Sequence, residues 1–297
     1  MKAQDLKAIF HKELDRIYGS NEVESFFFLS SEHHFNFARI QIALEPELTF
    51  TTSETDTFFQ ILEDLKQQKP IQYILGETEF YGLKFKVNSD VLIPRPETEE
   101  LVDWIITEVN QIQKTDVAND QIEKLRILDL GTGSGCLSIS LAKHLNGTKV
   151  FAVDVSEKAL DVAKENANNN DVEVEFIKGD ILNESFQSSI FENGKFDVIV
   201  SNPPYVRRSE KEQMKPNVLE NEPDLALFVE DNDPLIFYKA ITKFAVNNLN
   251  TNGQLFFEIN QYLGAESKTL LEDANFQNIE LRKDINGNYR MLKGQKK

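Results

Sequence analysis

The chain opens with apolar residues at helical spacing. Leu6, Ile9, Phe10, Leu14 and Ile17 share one face, and Tyr18-Gly19-Ser20 stops that run. A second run follows Phe26-Phe27-Phe28-Leu29. A third contains Phe58, Phe59, Ile61, Leu62 and Leu65, begins in a Ser/Thr/Asp-rich stretch and is expected to end at Pro70. The Phe clusters read as core of a small helical domain over residues 1–75. Residues 76–95 change character. Phe80, Leu83, Phe85 and Val87 alternate with polar positions, and Asn88-Ser89-Asp90 reads as a turn before Val91-Leu92-Ile93. This predicts a β-hairpin linker, with Pro94 and Pro96 forming a stiff entry to a helix from Glu97 to Gln113. Residues 114–124 read as a polar loop.

From residue 96 to 297 strands and helices alternate, which predicts an α/β domain with a mostly parallel sheet. Strands are expected at Ile127–Leu130, Val150–Val153, Val172–Ile177, Phe196–Ser201 and Gln254–Ile259. The helical pattern Leu137, Ile139, Leu141, Ala142, Leu145 follows the first of them and is stopped by Leu145-Asn146-Gly147. Helices are expected at 235–249 and about 263–273, with closing strands at 276–283 and 288–293. Val206 to Asp233 is long and charged and reads as a lid or substrate loop.

The chemistry-bearing residues fall at successive strand ends. Ile127-Leu128-Asp129-Leu130 runs into Gly131-Thr132-Gly133-Ser134-Gly135 and then a helix, the opening of a nucleotide-binding βαβ unit. The glycines permit a tight turn and close approach to a ligand, and Asp129 is placed to orient that turn. The next strand ends in Asp154, an acid ~20 residues on, where it can accept from ribose hydroxyls. The third runs into Gly179-Asp180-Ile181, a second acid at the same edge.

The fourth strand ends in Asn202-Pro203-Pro204-Tyr205. The Asn amide oxygen and the Pro203 carbonyl offer two acceptors in a fork stiffened by two prolines. Such a fork holds both hydrogens of an NH2 group. The Tyr205 ring is expected to cover the planar group that carries it. A poor nitrogen nucleophile held in line with an electrophilic methyl group is the requirement for methyl transfer to a planar nitrogen. A dehydrogenase reading lacks the Gly-x-Gly-x-x-Gly spacing and leaves the Asn-Pro-Pro-Tyr loop unexplained.

The order Gly131–Gly135, Asp154, Asp180, Asn202–Tyr205 resembles the S-adenosylmethionine-dependent methyltransferases with an Asn-Pro-Pro-Tyr motif. Among them the chain is most similar to the protein-(glutamine-N5) methyltransferases of peptide chain release factors. Supporting stretches are Glu79-Phe80-Tyr81-Gly82, Ile93-Pro94-Arg95-Pro96-Glu97-Thr98-Glu99, Glu222-Pro223 with Ala226-Leu227, and Asp284, Gly287 and Arg290. The resemblance covers about residues 70 to 292. One departure is Glu258-Ile259-Asn260-Gln261, where the family often carries a His-Gly pair; no catalytic consequence is expected there.

The resemblance implies a Rossmann-like class I sheet with an antiparallel last strand and a small N-terminal helical domain that docks a protein substrate. It implies S-adenosyl-L-methionine as donor, S-adenosyl-L-homocysteine as product, and no metal. The acceptor would be the glutamine of a Gly-Gly-Gln loop. Asn202 and Pro203, with Tyr205, would be catalytic, and Asn202 to Tyr205 would bind the substrate. Gly131, Thr132, Gly133, Ser134, Gly135, Asp154, Asp180, Ile181 and Asn202 would contact the cofactor. The role of Arg95 stays open between a cofactor contact and a pairing with an acid in the hinge, and that of Glu222 between positioning the substrate loop and facing solvent.

Charge narrows the acceptor. The net charge is −17 with pI near 4.8, and basic runs stop at Arg207-Arg208 and Lys296-Lys297. Nucleic-acid affinity comes largely from Lys and Arg on phosphates. An exocyclic-amino methyltransferase acting on adenine, cytosine or guanine would use the same fork, but it must also extract a base. A non-catalytic binding module that keeps the cofactor fold is the other rival. The single Cys136 excludes an intrachain disulfide and a Cys-based zinc cluster, and reads as a small packed residue. His11, His33, His34 and His144 show no metal-ligand spacing. The polar start and the absence of a long apolar run predict a cytoplasmic protein with no membrane segment, expected to be a monomer.

Overall fold

The computed structural model describes residues 1–116, 124–189 and 194–297, with the side chains of 115, 116 and 187–189 left aside. Its residues group into two compact units, Met1–Glu77 with Lys215–Asn221, and Thr78–Met214 with Glu222–Lys297.

The first unit holds α1 (Ala3–Tyr18), α2 (Ser20–Phe35), α3 (Arg39–Leu44), α4 (Thr52–Lys66) and α5 (Ile71–Leu75). Gly19 takes φ 83°, a positive-φ backbone open to glycine that lets α1 end and α2 begin within one residue. Thr51 and Glu54 form a capping box that starts α4. Pro70 is the N-cap of α5 and does not terminate α4; α4 has already ended at Lys66, and the left-handed Gln68 (φ 58°) redirects the chain. Phe10, Phe27, Phe50 and Phe58 form a contiguous aromatic core with ring centroids 4.8–5.9 Å apart. Each such buried ring stabilises the unit by ~1.5–3 kcal/mol. His33 sits half-buried against Glu77, and His34 is exposed.

In the second unit, β1 (Glu77–Phe80) and β2 (Leu83–Lys86) form the expected hairpin, but its turn is Tyr81-Gly82. Both residues have positive φ (50° and 71°), matching the twist of a two-residue hairpin turn. Asn88–Asp90 also turns, yet Val91–Ile93 forms no strand. Helix α6 runs Pro96–Asp116, so residues 114–116 are helical and not loop; the rest of that expected loop lies outside the described residues.

The central sheet contains β3 (Leu125–Leu130), β4 (Thr148–Asp154), β5 (Val174–Lys178), β6 (Phe196–Ser201), β9 (Leu249–Glu258), β10 (Phe276–Lys283) and β11 (Tyr289–Lys296). Its order is β10-β11-β9-β6-β3-β4-β5, and β11 runs antiparallel to both neighbours while β9, β6, β3, β4 and β5 pair in parallel. This is the class I methyltransferase sheet. The chain reverses direction across the sheet between β3 and β6, so their C-terminal ends frame a crevice.

Alternation along the strands separates two cores. Ile127, Val150, Val198, Val200 and Phe256 face α6 and α7 (Cys136–His144), whereas Leu128, Leu130, Phe151, Ile199 and Phe257 face the opposite layer. With both faces covered, the strands read as continuous apolar runs. Helices α8 (Glu157–Asn169) and α9 (Glu184–Ser189) follow β4 and β5. The charged stretch 206–233 is not an open loop. It carries β7 (Val206–Arg207), a 3-10 turn (Arg208–Gln213), α10 (Pro216–Asn221), α11 (Asp224–Leu227) and β8 (Phe228–Val229), with β7 and β8 paired in parallel. Helices α12 (Ile236–Asn248) and α13 (Gly264–Asp273) complete the second layer. No described helix is long and apolar enough to cross a membrane.

Candidate active site

A cavity of about 250 Å³ opens at the C-terminal ends of β3, β4, β5 and β6. Gly131, Thr132, Gly133, Ser134, Asp154, Asp180, Ile181, Asn202, Pro203 and Pro204 all line it. Tyr205 and Gly135 do not, although each adjoins a lining residue in the chain.

The glycine loop is held from several sides. The Gly131 and Thr132 amides both donate to the Val153 carbonyl (2.9 and 3.0 Å), which docks the loop on β4. Gly131, Gly133 and Gly135 have φ of 79°, 55° and 83°, which a side chain would strain. At Gly135 space is also closed: an added Cβ would lie 2.7 Å from Ile139 Cδ1 and 3.2 Å from Ala163 Cβ. Asp129 orients the loop as the sequence suggested, accepting from Thr132 Oγ1 at 2.6 Å. Asp129 is fully buried, and burial pushes its carboxyl up to about 7 against the Thr132 and Ser138 hydrogen bonds. Its Oδ1 has no partner among the described residues.

Asp154 accepts from the Gly133 amide (2.8 Å, Oδ2) and the Ser156 amide (2.9 Å, Oδ1). Burial raises its pKa, and those amides oppose the shift. A carboxylate has about four lone-pair sites, so Asp154 retains acceptor capacity at the cavity it lines. Asp180 is exposed and accepts from the Leu182 amide at 2.8 Å, closing a tight turn. Gly179 before it admits no Cβ, because the Phe186 ring occupies that position. Cys136 also lines the cavity; burial of its thiol pushes it up to about 12, so it stands neutral and packs.

The Asn-Pro-Pro-Tyr loop is fixed by residues that sequence reasoning left without a role. Asn202 Nδ2 donates to Thr98 Oγ1 at 3.4 Å, and Thr98 Oγ1 donates to Glu258 Oε2 at 2.6 Å. Tyr205 Oη donates to the other oxygen, Glu258 Oε1, at 2.9 Å, and accepts from Arg290 Nη1 at 3.4 Å. Thus Tyr205 directs its hydroxyl into a buried cluster behind the cavity. Burial raises the Glu258 carboxyl, opposed by the Thr98 and Tyr205 hydrogen bonds and Arg290. Burial also holds the Tyr205 phenol well above its usual range.

The segment that departs from the family pattern therefore bears on the site. Glu258 gathers Thr98 and Tyr205, while Asn260 Nδ2 donates to the Tyr205 carbonyl (3.0 Å) and to Glu210 Oε2 (2.9 Å). Arg290 in turn donates from Nε to Asp284 (3.3 Å). Arg95 pairs with the buried Glu222, which also accepts from the Ile93 amide at 3.3 Å. Glu222 is thus a structural partner of the stretch before α6 and does not face solvent. The signal for Thr98 was its place in the Pro94–Glu99 stretch. Glu258, an acid at the end of an otherwise apolar strand, carried the signal of a buried charge.

The family described as Methyltransferase small domain matches residues 112–224, and the PrmC N-terminal domain matches residues 19–76. The release factor glutamine methyltransferase of Flavobacterium psychrophilum is 51% identical over 293 residues, 99% of each chain. That of Bacteroides thetaiotaomicron is 38% identical over 287 residues, covering 97% of this chain and 98% of its own. The chain belongs to the release factor glutamine methyltransferase family. It is an S-adenosylmethionine-dependent methyltransferase. Among solved structures, the catalytic domain of hMettl16 in complex with MAT2A 3'UTR hairpin 6 aligns with TM-score 0.54 at 16% identity. That alignment covers 84% of this chain and 82% of the other, and shows the shared fold.

The residues present suit that donor. The glycine loop turns its backbone to the cavity, and Asp154 offers carboxylate acceptors. Val155 and Ile181 add apolar lining beside Asp180. The bound donor supplies an electrophilic methyl group.

Proposed function

We propose that this chain methylates the side-chain amide nitrogen (N5) of the glutamine in the Gly-Gly-Gln loop of bacterial peptide chain release factors. The observation that carries this reading is the polarised hydrogen-bond chain Glu258–Thr98–Asn202 at the wall of the cavity that the glycine loop also lines. The Thr98 hydroxyl has one proton, and it goes to the carboxylate. Its oxygen is left to accept from Asn202 Nδ2, so Oδ1 is the end of the amide offered to a ligand. Oδ1 and the Pro203 carbonyl accept the two hydrogens of the glutamine amide. This aligns a nitrogen whose lone pair is delocalised, and favours positive charge on it as the bond to carbon forms. Positioning of this kind supplies up to ~7–11 kcal/mol, and fixed acceptors add electrostatic stabilisation. The proton then leaves to water.

Tyr205 acts chiefly as the anchor of the loop, and Pro204 stiffens it. Gly131 to Gly135 hold the methionine end, Asp154 the ribose, and Asp180 with Ile181 the adenine. The helical domain (1–75) docks the protein substrate, the hairpin region (76–95) links it to the methyltransferase domain (96–297), and the enzyme acts as a cytoplasmic monomer without binding nucleic acid.

The test is transfer of label from S-adenosylmethionine to a purified bacterial release factor, its Gln→Ala loop variant, DNA and ribosomal RNA. Label confined to the unsubstituted factor supports the reading; label on nucleic acid instead overturns it. Asn202→Ala is expected to abolish turnover nearly completely while cofactor affinity changes within about threefold.

A further inference from the structure

Asn166, on α8, is fully buried and uses its whole carboxamide. Oδ1 accepts from the Lys86 amide at 2.6 Å, and Nδ2 donates to the Lys86 carbonyl at 3.0 Å. The side chain thus pairs with both backbone groups of the last residue of β2, as a neighbouring strand would. Its second Nδ2 hydrogen goes to the Ser134 carbonyl of the glycine loop at 2.9 Å. Ser134 is 2% exposed, so this carbonyl would be a buried orphan without Asn166. Ala163, one helical turn earlier on the same face of α8, sets the close approach of Gly135. The peptide plane between Ser134 and Gly135 is therefore fixed sterically on one side and by a hydrogen bond on the other.

We propose that Asn166 is a positioning residue for methyl-donor binding, and that it makes the β1–β2 hairpin and the glycine loop order as one element. The inference rests on the reading of the glycine loop as the donor site. One amide group bridges two segments that are far apart in sequence. Ordering of the loop by a ligand removes freedom from the Ser134 carbonyl, hence from Asn166, hence from Lys86. The same coupling runs in reverse. Lys86 Nζ on Glu165 (2.8 Å) and Asn170 Nδ2 on the Lys84 carbonyl (2.9 Å) keep the hairpin on α8, so the coupling has a rigid frame.

The first test uses the unsubstituted full chain. Hydrogen exchange is followed with and without saturating S-adenosylhomocysteine. Exchange across residues 80–88 is expected to slow about threefold or more together with residues 131–139. Slowing confined to 131–139 overturns the proposal. The second test is Asn166→Asp, which keeps the acceptor for the Lys86 amide but can donate to at most one of the two carbonyls. S-adenosylhomocysteine affinity is expected to fall about tenfold, with kcat at saturating donor within about threefold and ligand-induced slowing of 80–88 lost. A lowered melting temperature with unchanged cofactor affinity would make Asn166 merely structural and overturn the proposal. Both readouts report the cofactor, so an error in the protein acceptor leaves them intact. Failure of the unsubstituted chain to bind S-adenosylhomocysteine would remove the donor-site reading and this proposal together.

Discussion

Thr98→Val removes one hydroxyl at the node between Glu258 and Asn202 while keeping the side-chain volume. The hydroxyl is the 2.6 Å donor to a buried carboxylate, a charge-assisted bond whose loss costs ~1.5–3 kcal/mol. Tyr205 remains on Glu258, so the carboxylate loses one of two side-chain donors and the fold survives. At ~2 kcal/mol the melting temperature should drop by ~4–8 °C. The larger effect is on orientation. Asn202 loses the acceptor at 3.4 Å that sets which end of its amide faces the cavity. With either end allowed, a repelling NH2 group meets the glutamine NH2 in part of the population, and misplacement on this scale costs ~10- to 100-fold in rate. The assay is single-turnover methyl transfer to a release factor, with S-adenosylhomocysteine affinity measured beside it. The expected result is a loss in kcat with little change in cofactor affinity, and recovery in Thr98→Ser, which restores the hydroxyl. A Val variant that is less stable but turns over at the unsubstituted rate would refute the orienting role of Thr98.

Gly135→Ala should fail to bind S-adenosylhomocysteine or fail to fold, since φ is 83° and the new methyl would lie 2.7 Å from Ile139 Cδ1; tight binding in a calorimeter would contradict the packing described. Asp154→Asn should weaken the donor about tenfold or more, read as a KM or Kd increase with kcat largely kept, because the Gly133 amide and, in the proposed site, the ribose lose a charged acceptor. Stability should decline as pH rises from about 4 toward 7. The buried Asp129 keeps its proton up to about 7 whereas the unfolded chain releases it near 3.8, so the folded state binds more protons across that window. Asp129→Asn should flatten that part of a urea-denaturation pH profile, and an unchanged slope would assign it to other groups.

Much of this enzyme was legible in the residue pattern. Phe196–Ser201 was read as a strand to the residue, because a fully buried parallel strand is a continuous apolar run with a turn signal after it. The cavity lining likewise follows from chain order, since each motif ends a strand and parallel strands bring their C-terminal ends to one edge. What sequence did not yield is tertiary. The hairpin turn at Tyr81-Gly82 competed with the stronger Asn-Ser-Asp signal at 88–90, and local turn chemistry alone does not rank two candidate turns. The stretch 206–233 looked open because its charges are many, yet Glu210 is buried between Arg207 and Asn260. Thr98 and Glu258 lie 160 positions apart, and nothing local marks either as the partner of the other.

The buried acids explain one another. Asp129, Asp154 and Glu258 lie at the C-terminal ends of β3, β4 and β9, and burial raises the pKa of all three. Burial of an unpaired carboxylate is costly, so each must be answered by donors. The answers differ, and the difference divides the labour. Backbone amides answer Asp154, which leaves its remaining lone pairs for a ligand. Hydroxyls from Thr98 and Tyr205 answer Glu258, which converts its charge into a fixed direction for Asn202 and a fixed seat for the Asn-Pro-Pro-Tyr loop. A hydroxyl from Thr132 answers Asp129, which fixes the turn of the glycine loop from beneath. Of the three, Asp154 alone lines the cavity, so the acid that can meet a ligand is the one whose own partners are backbone amides.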